Sequence, residues 1–213
     1  MSRGKEFDRT AALQTAIVTF AARGFEGTST DDLLSAMGIG RQSMYDTFGD
    51  KRSLYLSALR EYCSASFAGM VQLMESAGSP LAGIEAVLLD FAHNPRRLGT
   101  SSCLGVNSIC EFGRSDPEVT AIHDEFGGLL EKAFERQLRA AVAAGEVDAA
   151  LVPRELARYL GLTLCGMKVG AEAGSSPSQL VSVARLALRA LAPAPRPKRN
   201  VRRRREPRSG DVR

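Results

Sequence analysis

Apolar residues recur along this chain at helical rather than strand spacing. Leu13, Ala16, Ile17, Phe20 and Ala21 fall at i, i+3, i+4, i+7 and i+8, one stripe of a helix, and Gly24 stands where that helix would stop. Ser29 then offers a hydroxyl N-cap with Asp32 three positions on, an acidic variant of the capping box, ahead of Leu33, Leu34 and Met37. Gly38 closes this second, short helix. From Arg41 to Phe48 the apolar Met44 and Phe48 lie four apart and face inward, which turns Arg41, Gln42, Ser43, Tyr45 and Thr47 to other faces. Asp50 is placed to cap the next helix, with Lys51 in its first turn. Beyond it the pattern predicts amphipathic helices over about 50–76, 80–94, 100–112, 117–144, 153–172 and 177–191. Gly and Pro punctuate them at Gly78-Ser79-Pro80, Asn94-Pro95, Asp116-Pro117, Gly145, Pro153 and Gly174 to Pro177. No run alternates with the period of a strand, so the expectation is an all-α chain.

Three short helices within the first 48 residues, the second and third separated by Gly38-Ile39-Gly40, form the pattern of a helix-turn-helix. The glycines suit a tight turn, and Ile39 is placed to plug the angle between the two helices. The expected division is a helix-turn-helix domain over 1–50, a six-helix domain over 51–192 and a disordered Arg/Pro-rich tail over 193–213, which holds too little apolar surface to fold.

Composition changes this picture in two places. The net charge of +4 belongs to the tail: residues 196–213 carry nine Arg or Lys against Glu206 and Asp211, a net +7, so the preceding residues sum to −3. Residues 1–52 balance seven basic against seven acidic side chains, so nucleic-acid binding is not readable from bulk charge. Cys63, Cys103, Cys110 and Cys165 contain no CxxC pair and no His at zinc-ligand spacing, so no metal and no cofactor are expected. With His93 and His123 the only histidines, nucleophile-base catalysis has few bases, and an enzyme is not expected. No stretch approaches the roughly 20 apolar residues of a membrane span, and the expected location is the cytoplasm.

The ordered set Ala16, Phe20, Gly24, Phe25, Thr28, Ser29, Gly38-Ile39, Tyr45, Phe48 and Lys51, about 45 residues in register, resembles the DNA-binding domain of the TetR family of transcriptional regulators. Gly40 departs from it, standing where a Ser or Thr cap is frequent, as does the neutral charge of the domain. The resemblance implies that the third helix enters the major groove of a double-stranded operator. Arg41, Gln42 and Ser43 would then reach base edges, and Ser29, Thr30, Tyr45, Thr47 and Lys51 would hold the backbone. It also implies a homodimer on a pseudo-palindromic site, a small-molecule effector bound among the C-terminal helices, and repression relieved by that effector.

For the dimer, the uncharged run from Tyr159 to Met167 and the last helix supply surface: Leu160, Leu164, Val181, Ala184, Leu188 and Leu191 are the expected contacts, with Leu180, Val183, Ala187 and Ala190 forming a second stripe. For the effector, the expected lining is Phe67, Met70, Phe91, Cys103, Phe112, Phe126 and Met167, with Asn107 as a polar anchor. Cys103 and Cys110 are seven apart, on one face of a helix but too distant to bridge, and Cys103 opens that helix. The neutral charge of the N-terminal domain leaves an alternative reading open: a helical small-molecule binder or cysteine-based redox or electrophile sensor with little or no DNA binding. The tail, with Arg202 to Arg205 consecutive, is open to two readings, non-specific phosphate contacts or a solvated extension only.

Overall fold

A computed structural model describes residues 7–95 and 102–192. The basic tail, and the residues that open the helix expected at 100, lie outside the described residues. Among the described residues every regular element is helical: α1 Arg9–Arg23, α2 Thr30–Met37, α3 Arg41–Phe48, α4 Lys51–Ser76, α5 Pro80–His93, α6 Leu104–Phe112, α7 Pro117–Ala143, α8 Pro153–Glu172 and α9 Pro177–Arg189.

Local chemistry sets the helix ends. Asp8 accepts the Thr10 and Ala11 N–H groups at the start of α1, Asp50 accepts from Ser53 at the start of α4, and Asp116 accepts from Glu118 and Val119 at the start of α7. Each carboxylate satisfies donors that a helix's first turn leaves without partners. Pro80, Pro117, Pro153 and Pro177 all stand at first helical positions, where the missing N–H costs nothing. Gly38 ends α2 with φ at 66°, the left-handed conformation that a Cβ disfavours. Gly83 matters for a different reason. A Cβ there would sit 2.8 Å from the Met74 carbonyl oxygen, so its absence lets α5 pack directly on the end of α4.

Among the described residues the buried apolar side chains form two clusters. The first joins Ala12, Leu13, Ala16, Ile17, Phe20 and Ala21 of α1 to Leu33, Met44 and Phe48, with Ile39 packed against it as the turn's plug. It does not stop at residue 50: Leu54, Tyr55, Ala58 and Leu59 of α4, Leu104 of α6, and Val119 and Ile122 of α7 belong to it. The rings of Phe20, Phe25, Tyr55 and Phe112 interlock at centroid distances of 5.0–6.5 Å, Phe20 and Phe25 stacked and the other pairs tilted or edge-on. The second cluster is built by α5, the latter part of α7, α8 and α9, with Met74 of α4. The 26-residue α4 thus contributes to both clusters.

This packing settles which stripe of α9 faces in. Leu180, Ala184, Ala187 and Leu191 are buried, and Val181 and Leu188 flank them, packed on the second cluster. Four of the expected dimer contacts, Leu160, Leu164, Ala184 and Leu191, are therefore core of a single subunit. The outward apolar positions are instead Tyr159, Leu162 and Val169 on α8 and Val183 and Leu186 on α9, with Leu162 at 74% and Leu186 at 61% exposure.

Candidate functional site

The capping box foreseen at Ser29 is present. Ser29 Oγ accepts the Asp32 N–H at 3.1 Å, while Asp32 Oδ2 accepts from the Ser29 N–H at 2.9 Å and its hydroxyl at 2.6 Å. These bonds, with the Arg23 guanidinium 2.8 Å away, hold the Asp32 carboxyl below its ordinary range. The Ser29 hydroxyl is occupied by the cap, so the start of α2 faces solvent mainly with backbone N–H groups, beside half-buried Thr30.

On α3, Met44 and Phe48 point inward and anchor the helix. Arg41 and Gln42 are exposed and Ser43 is half-buried at its N-terminal end; Tyr45 is 43% exposed, and Thr47 is half-buried. Gly40 is the N-cap and supplies no side-chain bond. The two longest side chains at this end of α3 have acidic partners: Arg41 reaches Asp31 at 2.5 Å, and Gln42 donates to Asp46 at 2.7 Å. Lys51 lies with its ammonium 4.2 Å from the centroid of the Phe25 ring, a cation–π contact that ties the start of α4 to the α1–α2 turn. All eight residues singled out in this segment fall on α2 or its N-cap, on α3 or at the start of α4, and the sequence did not single out their acidic partners Asp31 and Asp46.

The second site is a cavity of about 240 Å³ between α4, α6, α7 and α8. Phe67, Met70, Cys103 and Phe126 line it, together with Tyr62, Cys63, Ser66, Val106, His123, Leu164, Cys165 and Lys168. A chamber of about 60 Å³ shares Tyr62, Ser66, Met70, Cys103, Leu164 and Lys168 with it and adds Phe91, Asp90 and Asn94. Three of the expected lining residues are elsewhere. Met167 is core of the second cluster, and Phe112 stacks with Phe25 and Tyr55 against the first. Asn107, expected as a ligand anchor, donates to the Ala21 carbonyl and to Ser102 Oγ, both at 2.9 Å. Tyr62, His123 and Lys168 were missed. For Lys168 the signal was present, because it continues the inward i, i+4 series Leu160, Leu164 on α8.

His123 Nε2 lies 2.8 Å from Ser108 Oγ, whose own proton goes to the Gly105 carbonyl, so the imidazole donates and its Nδ1 is left as an acceptor. Burial, and then Lys168, lower its pKa, so it is neutral at pH 7. Burial pushes the Cys63 thiol up to about 11. Cys103 is buried at the N-cap of α6 and Cys110 is exposed, so the two do not share an environment.

Between reader and cavity stands α6. Glu111 accepts the Phe25 and Glu26 N–H groups at 2.9 and 2.7 Å, and Ser102 Oγ donates to the same Ala21 carbonyl that Asn107 holds. At its other end the Cys103 N–H is held by Glu172 of α8 at 2.6 Å. A parallel link joins α4 to α7, where Arg52 forks onto Asp116 at 2.6 and 3.0 Å and onto Glu118 at 2.6 Å.

Comparison with known proteins agrees with this geometry. Residues 12–58 match the model of the tetR family of bacterial regulatory proteins. The HTH-type transcriptional regulator YezE of Bacillus subtilis, itself uncharacterized, is 38% identical over 164 residues, 75% of this chain and 84% of that one. The HTH-type transcriptional repressor ComR of Escherichia coli is 27% identical over 193 residues, 88% of this chain and 90% of that one. Among solved structures, a cysteine-substituted form of the TetR-family regulator CifR, complexed with a 26-base-pair operator DNA, superposes with a TM-score of 0.76 at 29% identity, over 89% of this chain and all of that one. No helix among the described residues is long and apolar enough to cross a membrane. The helix-turn-helix on α2 and α3, its continuation into nine helices among the described residues and the similarity to YezE along most of the chain lead to one conclusion: this protein belongs to the TetR family of bacterial transcriptional regulators.

Proposed function

We propose that this regulator is a homodimeric repressor that occupies a pseudo-palindromic operator and leaves it when a small molecule fills the cavity between α4, α6, α7 and α8. As a TetR-family protein it binds DNA through α2 and α3. Arg41, Gln42 and Ser43, at the N-terminal end of α3, take base edges: Arg matches guanine O6 and N7, and Gln matches adenine N6 and N7. Tyr45, Thr47, Lys51 and the start of α2 at Ser29 and Thr30 take phosphates. Arg41 and Gln42 must exchange Asp31 and Asp46 for the operator, which raises the cost of binding any sequence that does not repay both exchanges. Repressor function in ComR and operator binding in CifR support this reading.

The observation that carries the proposal is the polar and aromatic connection from cavity to reader. Cys103 caps the helix whose Glu111 grips the α1–α2 turn, so a ligand that displaces α6 moves α1 and the reader with it. The effector acts by binding the DNA-incompetent arrangement better. Two readers enter successive major grooves only when about 34 Å apart, and small rotations of α4 are enough to spoil that spacing. The outward apolar face of α8 and α9, led by Leu162 and Leu186, is the dimer surface. The chain divides by function into a reader over 1–50, a sensor over 51–192 and a basic tail over 193–213, although the first core crosses residue 50.

Selection of bound fragments from random DNA by the purified protein tests the proposal. Two inverted half-sites at a fixed separation are expected; enrichment of no motif contradicts it.

A second reading of the release step rests on Cys63, Cys103 and Cys165 all lining the cavity. Cys63 is held protonated at neutral pH by burial and is a poor nucleophile, which leaves Cys103 and Cys165 as the reactive thiols. Cys103→Ser combined with Cys165→Ser is expected to abolish release by a thiol-reactive electrophile such as N-ethylmaleimide, and unchanged release overturns that reading.

A further inference from the structure

We propose that the cavity between α4, α6, α7 and α8 is a site for small apolar monoanions, with the Lys168 ammonium as the counter-ion of a ligand carboxylate. This rests on the reading of that cavity as an effector site and names the chemistry of its ligand.

Lys168 lies on α8 one turn beyond Leu164, and both line the larger and the smaller chamber. It is half-buried and, among the described residues, its ammonium has neither an ion pair nor a hydrogen bond. Its charge is felt across the cavity, since it lowers the pKa of both the Cys63 thiol and the His123 imidazole. The walls of the larger chamber give this ammonium no opposite charge, and a ligand carboxylate there would supply one. The larger chamber has no carboxylate among its described lining residues, and the chain contains no acidic residue from 91 to 110.

The acidic groups nearby face elsewhere. Glu172, one turn further along α8, accepts the Cys103 N–H at 2.6 Å; Glu111 is taken by Phe25 and Glu26; Asp124 is paired with Arg114 at 2.9 Å. Asp90, which lines the smaller chamber with Lys168, has an interaction of its own. His123 is neutral and adds no second positive charge. The larger chamber therefore carries one positive charge in a wall of Phe67, Met70, Phe126 and Leu164. That arrangement disfavours cations, leaves a neutral ligand's affinity to the apolar walls, and gives a carboxylate a charge-assisted bond, roughly twice as strong as a neutral one. The volume of about 240 Å³ lies below the roughly 300–1,000 Å³ of drug-sized sites, so the ligand is small.

The test compares 2-naphthoate with 2-acetylnaphthalene, which replaces the carboxylate by a ketone of similar size, by calorimetric titration of the full-length protein. Naphthoate is expected to bind at least tenfold more tightly. Lys168→Met is expected to remove that advantage while leaving acetylnaphthalene within twofold, and Lys168→Arg to retain most of it. Equal affinity of the two probes for the unaltered protein, loss of both in Lys168→Met, or binding of neither at millimolar concentration overturns the proposal. Operator affinity measured with saturating naphthoate separates this from the reading beneath it. Naphthoate binding through Lys168 without operator release would keep the ligand class and remove the effector role; release by some other compound, without naphthoate binding, would do the reverse.

Discussion

The two halves of the molecule treat their aromatic side chains in opposite ways. Around α1 and the start of α4, Phe20, Phe25, Tyr55 and Phe112 close on one another and leave no room. Around the cavity, Phe67 and Phe126 border a space with no partner across it. The first arrangement fixes the reader's position, which base-edge contacts require, because a hydrogen bond to a base tolerates only a few tenths of an ångström of error. The second leaves packing incomplete where a ligand can supply what is missing. A regulator needs both, a rigid output and an input with unfilled space, joined by elements such as α6 that take part in each.

The contrast breaks most readily at the aromatic rings. Phe20→Ala is expected to cost about 3–5 kcal/mol in urea denaturation, the range for deleting a fully buried phenyl ring, whereas Phe67→Ala at the cavity wall should cost about 1 kcal/mol. Equal losses would mean that the second region is packed as tightly as the first.

Next in size is the effect at the outward face of α8 and α9. Leu162→Glu combined with Leu186→Glu should yield monomers by sedimentation and lower operator affinity on the order of 100-fold, because the second half-site is no longer bound at high effective concentration. Stability of the subunit should change little, since both residues are exposed in it. A variant that remains dimeric would remove these helices from the interface.

Smaller still is the Arg52 fork. Arg52, followed by the backbone N–H groups of α7, holds the Asp116 carboxyl at about 2, below its ordinary 3.8. A depressed carboxyl stabilises the fold above its ordinary value and stops doing so as pH falls through the depressed one. Arg52→Met should therefore be less stable than the unaltered protein at pH 7, by about 1 kcal/mol because the guanidinium is 39% exposed. That difference should shrink below pH 4 and vanish near pH 2. A gap in urea midpoints that persists at pH 2 would assign the loss to packing by the Arg52 stem.

The sequence carried the local parts of this account and lost the relational ones. Helix ends were legible because their causes lie within a few residues: Ser29 with Asp32, Gly38, and proline at 80, 117, 153 and 177. The inward stripe of α9 was not, because Val181, Ala184, Leu188 and Leu191 and the alternative set satisfy the same period. Only the neighbours decide that Leu180, Ala184, Ala187 and Leu191 face in. Asn107 and Phe112 were misplaced for the same reason, as their partners Ala21 and Tyr55 lie more than fifty residues away. Lys168 sat in register with Leu160 and Leu164, but an uncharged run that ends in a lysine reads as a surface boundary until a cavity is seen beneath it.

The central claim is that α3 reads sequence while the start of α4 only holds the backbone, and it is tested most directly by repeating the random-DNA selection with Gln42→Ala and Lys51→Ala. Gln42→Ala should relax one symmetry-related pair of operator positions, by about 1–3 kcal/mol against the wrong base. Lys51→Ala should keep the motif, weaken binding to all sequences alike and flatten its dependence on salt. An unaltered motif in Gln42→Ala, or the same uniform loss in both variants, would contradict it.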